Sequence, residues 1–463
     1  MIFKFYYFIL EYYFFFLLSA NIQKNIILQT KLNKKMIKTK INMFKNHKIF
    51  FSLFFTFALL IATSLELFSQ GGSNYSTFGI GDIIYGQTAS SQAMGGTQIS
   101  VPSNNTINML NPAMWSLVRT TRVQTGYRFN QNSTVMDGGT NFLQNNGSLN
   151  GFYSLFNFDT VKEISAVLLF QPFSSVNYYM SSPASVNKSG VNLQGDKIFR
   201  GSGGLSNLTI GLSSKIFDGF YLGGSVAALI GKIDHSTLVS YHNAHTLNYQ
   251  VNNSDIFLGV NFNIGTMINP IDNFYIGAFY QHQNKSKVES RNEYMYIPTL
   301  GVLTDTAVLN NFNASMPSFW GVGVSFIVGG FLLSTDYVVG NFSDLSINKT
   351  AQNDDFNNTR KISFGTVKLG NPNQFASLSD RASYKFGAYH EQLYYKVNTH
   401  SINEYGLSAG FQFPVSRTAQ IDFSLVFGTR GTSNNGLLKE NFGRMIIELS
   451  IGDIWFRPFR TDF

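Results

Sequence analysis

Residues 319–339 read FWGVGVSFIVGGFLLSTDYVV, and this stretch decides the fold. Side chains alternate between the two faces of a β-strand. One face of the first half is therefore large and apolar, with Trp320, Val322, Val324, Phe326 and Val328, and the other is smaller, with Phe319, Gly321, Gly323, Ser325 and Ile327. Gly329 and Gly330 supply the positive φ of a two-residue hairpin turn. The stretch predicts a β-hairpin.

The same residues are about long enough for an apolar membrane helix of roughly twenty residues. Gly321, Gly323, the Gly329–Gly330 pair and Asp336 argue against a helix, because they break its apolar surface and its backbone preference. The hairpin is the better interpretation.

The alternation of the hairpin recurs after about residue 119. We count about twelve to fourteen segments of about ten residues, separated by turns, which is typical of a transmembrane β-barrel. Clear examples are Ile256–Ile264, Tyr405–Phe411 and Met445–Ile451.

The connections between these segments alternate in length. Short ones are predicted at 217–219, 269–273 and 415–418, and long polar ones at 181–205, 285–316 and 341–380. Barrels have short turns at one rim and long loops at the other. A soluble β-sandwich also alternates, but the leader, the Phe and Tyr excess and the many hairpins favour the membrane. Lipid does not tolerate open sheet edges, so the predicted fold is an all-β, closed barrel of about 14 antiparallel strands.

Composition supports this class and excludes others. Of 463 residues, 44% are hydrophobic, 15% aromatic and only 13% charged, against about 25% charged in ordinary proteins. There is no cysteine, which excludes disulfides and thiolate metal sites. The net charge is +8, but residues 1–70 hold nine lysines and two glutamates, and the remainder is nearly neutral. A nucleic-acid partner is therefore not expected.

Residues 1–70 are predicted to be a leader. Basic Lys45–Lys48, the apolar run 49–63 and a small residue at Ser69 form a secretory signal peptide, cut near Ser69 or Gln70. Residues 1–42, with the apolar run Phe5–Leu18, are either a membrane anchor or an over-extended start, and we favour the latter.

Residues 71–118 alternate little and are rich in Gly, Asn and Pro, which indicates loops and short helical turns. They also carry too many apolar side chains for a disordered tail, among them Ile80, Ile99, Met109 and Met114. We expect them to fold inside the barrel, leaving 119–463 as the barrel itself.

The face assigned to the lumen is mixed rather than polar, unlike that of a water-filled porin. Its apolar members are Tyr153, Leu155, Val167, Leu169, Leu229, Phe257, Phe279, Phe319, Ile327, Leu332 and Val426. They either pack against the N-terminal segment as a core or form a path for a hydrophobic cargo. Phe257, Phe319, Ile327 and Leu332 are the path candidates.

No motif gives a credible catalytic set, metal site or cofactor site. Gly406–Gly410 matches G-x-S-x-G, but that motif needs a strand-to-helix elbow and this one lies mid-strand. Gly201–Gly204 is predicted to lie in a loop without a following helix, a weak phosphate-loop candidate.

Two further clusters are interpreted as solvated loop residues. The histidines at 235, 242 and 245 have a spacing that splits them between strand faces, which disfavours a metal site. The pair Asp354–Asp355 is more consistent with exposed charges than with a cation site.

Several short motifs resemble FadL-type long-chain fatty-acid transporters, and more closely their relatives from Bacteroidetes. They are Ala93–Ser100, Asn104–Asn105, Leu110–Ala113, Phe170–Val176, Gly201–Leu205 and Ile454–Arg457. The resemblance implies a fourteen-stranded outer-membrane barrel, an N-terminal hatch filling its lumen, and hatch movement that opens a path through a kinked wall. It makes Met94, Gly95, Gly96, Asn111, Pro112 and Ala113 hatch residues.

The predicted function is passive transport of hydrophobic compounds such as long-chain fatty acids across the outer membrane of a Gram-negative bacterium. The expected partners are outer-membrane lipid, hydrophobic small molecules and, during biogenesis, the barrel-assembly machinery, to which the aromatic end Phe463 is suited. The alternative is a barrel like the type IX secretion shuttle, which binds protein partners. A sealed structural barrel is a third reading.

Overall fold

The protein is described here from a computed structural model. It describes residues 72–135, 141–188, 191–242, 248–297, 303–343, 345–347, 356–373, 375–397, 399–416, 418–434 and 436–453. The predicted leader, His245, Asp354–Asp355 and the motif Ile454–Arg457 with Phe463 lie outside these residues.

The described residues form eighteen β-strands and few helical turns. The strands are β1 (Asp82–Ile83), β2 (Thr121–Val135), β3 (Asn141–Asp159), β4 (Ile164–Pro172), β5 (Ser174–Lys188), β6 (Val191–Phe217), β7 (Phe220–Tyr241), β8 (Asn248–Ile271), β9 (Phe274–Gln283), β10 (Ser286–Ile297), β11 (Leu303–Ala314), β12 (Ser318–Val328), β13 (Phe331–Asn341), β14 (Thr359–Lys368), β15 (Ser383–Val397), β16 (His400–Pro414), β17 (Ala419–Gly431) and β18 (Lys439–Asp453). The helices are α1 (Ala89–Gln92) and α2 (Leu378–Arg381), with 3-10 turns at Asn74–Thr77 and Pro112–Leu117. Neither helix in these ranges is long and apolar enough to cross a membrane.

Strands β2 to β18 form a closed antiparallel barrel of fourteen wall strands. Three wall strands are each interrupted once, so that β4–β5, β9–β10 and β11–β12 each count as one. Pairing of β18 with β2, from Lys439 opposite Val135 to Asp453 opposite Thr121, closes the ring. The predicted fold class is confirmed.

The opening hairpin is confirmed in register and in faces. β12 pairs with β13 across Gly329 and Gly330, whose φ angles are 57° and 79°. Trp320 and Val328 on the outer face are 38% and 58% exposed, whereas Ser325 on the inner face is buried. The large apolar side chains therefore form the outside of the barrel, as they must in lipid.

The side chains predicted to face the lumen do so. Ten of the eleven are buried and the eleventh, Ile327, is partly buried. They pack against residues 72–118, which fill the interior, so the core of this protein lies inside the barrel.

Three predicted loops are wrong. Residues 181–205 lie largely in β5 and β6, residues 285–316 lie largely in β10 and β11, and residues 341–380 contain the wall strand β14. The first two stretches are largely polar, so the period of two that marks a strand is weak there while the backbone pairing continues. β14 alternates only briefly, with Ile362 and Phe364 outward, inside an otherwise polar stretch.

We call residues 72–118 the hatch, and name the barrel rims by their connections. The turn end carries the tight turns after β6, β8 and β12, and the loop end is opposite. Gly72 donates its N–H to Asn177 of β5, towards the loop end, and Val118 accepts from Asn157, near the turn end. The hatch thus runs through the barrel from one rim towards the other.

Candidate functional site

The wall has a gap where its third strand breaks. β4 pairs with β3 between Phe152 and Asp159, but in the described part of the chain no pairing joins residues 141–151 of β3 to β5. β5 pairs with wall strand β6 on its other edge. We call the gap between residues 141–151 and β5 the wall seam. No backbone ladder between wall strands crosses this seam, and the Gln144 side chain donates across it to the Tyr179 carbonyl at 2.8 Å.

The break is built from local sequence. Pro172 has no N–H to donate, and the following Phe173 turns inward, fully buried, while its N–H bonds the Leu205 carbonyl at 2.7 Å. Opposite the break, Gly203 and Gly204 in β6 have φ of 105° and 145°. A Cβ on Gly204 would lie 2.3 Å from the Ser174 carbonyl oxygen, so only glycine fits. The prediction that Gly201–Gly204 is a loop is wrong, because these residues belong to a strand.

The hatch covers the free edge of β5 at the seam. β1 pairs antiparallel with Ser174 and Ser175, and Ile84 N–H donates to the Phe173 carbonyl at 3.0 Å. Nearer the loop end, the Gly72 N–H bonds the Asn177 carbonyl at 2.8 Å and the Asn177 N–H bonds Ser76 Oγ at 3.0 Å. The first part of the edge that β3 leaves unpaired, from Phe173 to Asn177, is therefore occupied by a segment that is not part of the wall.

Behind the seam lies a buried aromatic cluster. Tyr85 of the hatch packs between Phe173 and Phe319, with ring centroids 5.7 and 6.1 Å away. Phe319 continues to Phe342 at 5.6 Å, and Phe342 stacks on Tyr394 at 4.3 Å. Hatch side chains thus fill what would otherwise be an apolar pocket reaching the seam.

The four predicted path residues fall into two places. Phe257 and Phe319 belong to the buried hydrophobic cluster that contains these aromatic side chains. Ile327 and Leu332 instead pack with Met94 and Val367 in a separate cluster. The residues that sequence reasoning missed here are Tyr85, Phe173 and Tyr394; Phe173 lies in the Phe170–Val176 motif, which was the available signal.

Buried charges tie the first hatch residues to the wall. Arg430 on β17 contacts Asp82 of the hatch at 2.8 Å and Glu404 on β16 at 2.6 Å, and it donates to Ser73 Oγ at 2.7 Å. Ser73 in turn donates to Glu440 at 2.7 Å. Arg430, Glu404 and Glu440 are buried and Asp82 is partly buried, so each buried charge depends on its partners.

The neighbouring hatch tyrosine is held in the same region. Tyr75 donates its hydroxyl to the Leu438 carbonyl at 2.5 Å and stacks on Tyr395 with ring centroids 5.6 Å apart. Burial, followed by the charge of Glu440, raises the pKa of Tyr75 to about 12. The hydroxyl therefore stays protonated and remains a donor at any physiological pH.

Three wall carboxylates bind hatch backbone N–H groups along the barrel. Glu440 accepts from Asn74 at 2.7 Å, Glu448 from Ala89 at 2.9 Å, and Asp336 from Gln98 and Ile99 at 2.6 and 2.9 Å. Carboxylate–amide bonds of this kind are among the stronger protein hydrogen bonds. They fix the hatch at three heights.

The predicted hatch residues Met94, Gly95 and Gly96 form a tight turn against wall glycines. Gly95 and Gly96 have φ of 70° and 98°. A Cβ on wall residue Gly387 would lie 2.1 Å from the Gly95 nitrogen and one on Gly365 would lie 2.7 Å from the Met94 carbonyl oxygen. The backbone of the hatch and of the wall touch here.

The predicted hatch residues Asn111, Pro112 and Ala113 lie against the opposite wall. Asn111 caps the 3-10 turn by accepting from Ala113 N–H at 3.1 Å. Its amide donates to the carbonyls of Ile99, at 2.8 Å, and Thr266 on β8, at 2.9 Å. One fully buried side chain therefore joins two parts of the hatch to the barrel.

Replacing Asn111 by alanine should lower the free energy of unfolding by about 2 to 4 kcal/mol, because two buried carbonyls and one N–H lose their partner. Denaturant unfolding in detergent measures the change. Asn441→Ala, an exposed asparagine on β18, is the matched control and should change stability by less than about 0.5 kcal/mol. Equal losses in the two variants would contradict the role of Asn111.

Ser408 of the G-x-S-x-G stretch is a hatch contact. It lies mid-strand in β16 and its hydroxyl accepts from Gly95 N–H at 2.9 Å. Among the described residues, no group of three or more His, Asp or Glu side chains is placed to hold a metal ion.

A polar cavity of about 60 Å³ lies between hatch and wall near the seam. Hatch residues Ser73, Asp82 and Gln87 line it on one side, and Asn146 of β3 and Asn177 of β5 line it at the seam. The volume corresponds to roughly four water molecules. With the hatch in place, a cavity of this volume does not admit a whole long-chain ligand.

Comparison with protein families finds one match over nearly the whole chain. The family model described as BamG matches residues 46–462. A comparison with curated protein sequences finds no match.

Solved structures with a similar fold include proteins described as a hydrocarbon channel, a toluene transporter and a FadL homologue. The CymD monoaromatic hydrocarbon channel aligns with a TM-score of 0.53 and 13% identity, covering 81% of this chain and 98% of that one. The Ralstonia pickettii toluene transporter TbuX gives 0.54 and 14%, covering 80% and 99%. A Pseudomonas aeruginosa FadL homologue gives 0.54 and 12%, covering 81% and 100%. At these identities the likeness establishes the fold.

Proposed function

We propose that this chain, which belongs to the BamG family, is an outer-membrane channel that passes hydrophobic compounds sideways through its wall seam. The observation that carries the proposal is the free edge of β5, which is covered by hatch residues instead of a wall strand. A barrel built only as a scaffold has no need for such an edge, since unpaired strand edges are costly in lipid.

The location follows from the outer surface. Exposed apolar side chains surround the barrel, such as Ile264, Leu407 and Phe427 at 52%, 69% and 64% exposure. A closed barrel with this surface is stable only in a bilayer. We also propose that the signal peptide predicted before Gly71 directs export of the chain. The likeness to relatives from Bacteroidetes belongs to the same proposal.

The substrate class is hydrophobic and small enough to pass behind Phe173. The aromatic residues around Tyr85 would line its path once the hatch moves. Long-chain fatty acids, as predicted from the FadL resemblance, and monoaromatic hydrocarbons, named for the similar structures, both fit this lining. Neither is water-soluble, and a lateral exit would release it into the bilayer.

Locking the hatch to the seam should stop transport. Ile83 and Ser174 are opposite each other in the antiparallel pair of β1 and β5, where Cα atoms are close enough for a disulfide. The chain has no cysteine, so Ile83→Cys with Ser174→Cys gives a single defined cross-link. Under oxidising conditions, uptake of labelled oleate or toluene by cells should fall at least tenfold, and reduction should restore it.

A wall cross-link is the matched control. Leu407 and Phe427 are paired on β16 and β17 and face outward, away from the hatch. Leu407→Cys with Phe427→Cys should leave uptake unchanged in either redox state. Full uptake through the oxidised seam pair would refute the lateral route.

A second function is favoured by the family name, which suggests an association with the barrel-assembly machinery. The filled barrel agrees with it, because the cavity between hatch and wall near the seam has a volume of only about 60 Å³. A related role is the secretion-partner barrel predicted above. Purification from native membranes in mild detergent separates these functions. A stoichiometric protein partner, with no uptake defect on deletion, would favour assembly or secretion over transport.

A further inference from the structure

Arg128 on β2 is a buried cation without a partner. Its side chain points into the barrel and the residue is 2% exposed. Among the described residues, none of its three guanidinium nitrogens has a hydrogen-bond partner, and no carboxylate lies within 4 Å. A buried, unpaired charge is strongly unfavourable, so something should compensate it.

The neighbouring charges are engaged elsewhere. Glu448 is the carboxylate whose charge acts on Arg128, but its oxygens accept from Ala89, Gln124 and Asn150 at 2.7 to 3.0 Å. Arg444 carries the same charge as Arg128 and is bonded to Asn130 and Gln92 at 3.3 and 3.4 Å. Glu448 therefore acts on Arg128 only from beyond 4 Å, and among the described residues no acceptor lies within hydrogen-bonding distance of the Arg128 guanidinium.

Arg128 lines the polar cavity beside the hatch, where four cationic side chains and three carboxylates meet. The charged side chains lining it in the described part of the chain are Arg128, Lys361, Arg430 and Arg444 on one side and Asp82, Glu391 and Glu404 on the other. Lys361 pairs with Glu391 at 3.4 Å, and Arg430 with Asp82 and Glu404. Arg444 lies 4.0 Å from Glu404, so Arg128 is the lining cation that has no ion pair within 4 Å among the described residues.

We propose that this cavity is a binding site for one carboxylate group, held by Arg128 between hatch and wall. A guanidinium with free nitrogens presents a planar fork that matches a carboxylate with two parallel hydrogen bonds. The neutral donors Asn130, Asn146 and Ser148 also line the cavity and complete a polar surround. A volume of about 60 Å³ admits such a group with a water or two, which together would supply the acceptors that the Arg128 nitrogens lack.

The carboxylate can come from two sources: a short free acid or the headgroup of a longer amphipathic molecule. The inference does not depend on the proposed transport function. A neutral hydrocarbon has no carboxylate and would pass through the barrel without binding Arg128. Bound anion would also contact the hatch side of the cavity, so it would stabilise the hatch in place.

The test is anion-dependent stability of the full chain purified in a non-ionic detergent. Formate or hexanoate replaces chloride at constant ionic strength, and the melting temperature is followed by tryptophan fluorescence. The wild type should gain several degrees, saturably. If both acids stabilise the protein, a short free carboxylate is sufficient. If only hexanoate stabilises it, the carboxylate comes from an amphipathic molecule.

Arg128→Met should abolish the gain without lowering the melting temperature in chloride, since it also removes an unpaired buried charge. Arg128→Lys, which keeps the charge but not the fork, should weaken binding at least tenfold. Arg291→Met, at an exposed arginine paired with Glu293, is the control and should respond like the wild type.

If Arg128→Met does not fold, binding of ¹³C-formate to the wild type is measured directly by line broadening in NMR. Broadening by the wild type that is displaced by hexanoate would support the site. No broadening, a gain with sulfate but not with carboxylates, or an unchanged gain in Arg128→Met would overturn the proposal.

Discussion

Replacing Arg430 by methionine should lower the free energy of unfolding by about 3 to 5 kcal/mol and release the first part of the hatch. Methionine keeps much of the volume but removes the charge that faces Asp82 and Glu404, and it also removes the donor to Ser73. The partly buried Asp82 then loses its cation, and the buried Glu404 keeps only the Tyr389 hydroxyl at 2.6 Å and Arg444 at 4.0 Å. Denaturant unfolding in detergent measures the loss.

Release of the hatch has its own readout. Residues 72–118 contain no lysine or arginine, so trypsin cannot report on them, but chymotrypsin can cut at Tyr75, Phe78 or Tyr85. We expect these bonds to become sensitive in Arg430→Met and to stay protected in the wild type. Arg291→Met, whose ion pair with Glu293 is largely exposed, should cost less than about 1 kcal/mol and keep protection. Equal behaviour of the two variants would show that Arg430 does not anchor the hatch.

Gly387→Ala should open the barrel. The new methyl group would stand 2.1 Å from the Gly95 nitrogen and from the Met94 carbonyl carbon, which are backbone atoms that cannot turn aside. The hatch turn at Met94 and Gly95 must therefore move away from the wall, which costs about 1 to 3 kcal/mol. In planar bilayers we expect a steady conductance well above that of the wild type.

Gly443→Ala is the matched control, because a Cβ at Gly443 comes no closer than 3.5 Å to Phe427 and leaves the hatch untouched. It should conduct like the wild type. A closed Gly387→Ala barrel with unchanged stability would mean that the wall, not the hatch, moves to relieve the contact.

The membrane half of the wall could be predicted from sequence. Segments such as Ile256–Ile264 alternate between lipid and lumen, and the structure has them in strands with the expected faces. The strand extensions towards the loop end could not be predicted. Beyond the apolar surface of the barrel, both faces of a strand contact polar surroundings, so the sequence no longer alternates. β14 was missed for a related reason, since it sits inside a polar stretch predicted to be a long loop.

The site was predictable only in part. Gly and Asn–Pro motifs indicated an internal segment, and the structure has it inside the barrel. The seam depends on which strands fail to pair, and β3 and β5 reveal that only in three dimensions. Arg128, Glu404, Arg430 and Glu440 look in sequence like ordinary polar strand positions; their meeting depends on contacts across hundreds of residues.

The carboxylates of Glu440 and Glu448 belong to the last wall strand, yet they bind Asn74 and Ala89, more than 350 residues earlier. The same strand zips to β2 to complete the ring. Sealing the cylinder and seating its plug therefore share one final event during biogenesis. A chain halted before β18 would emerge unsealed and without the bonds to Asn74 and Ala89, so a half-assembled leaky pore would be a product of interrupted insertion rather than of a faulty hatch.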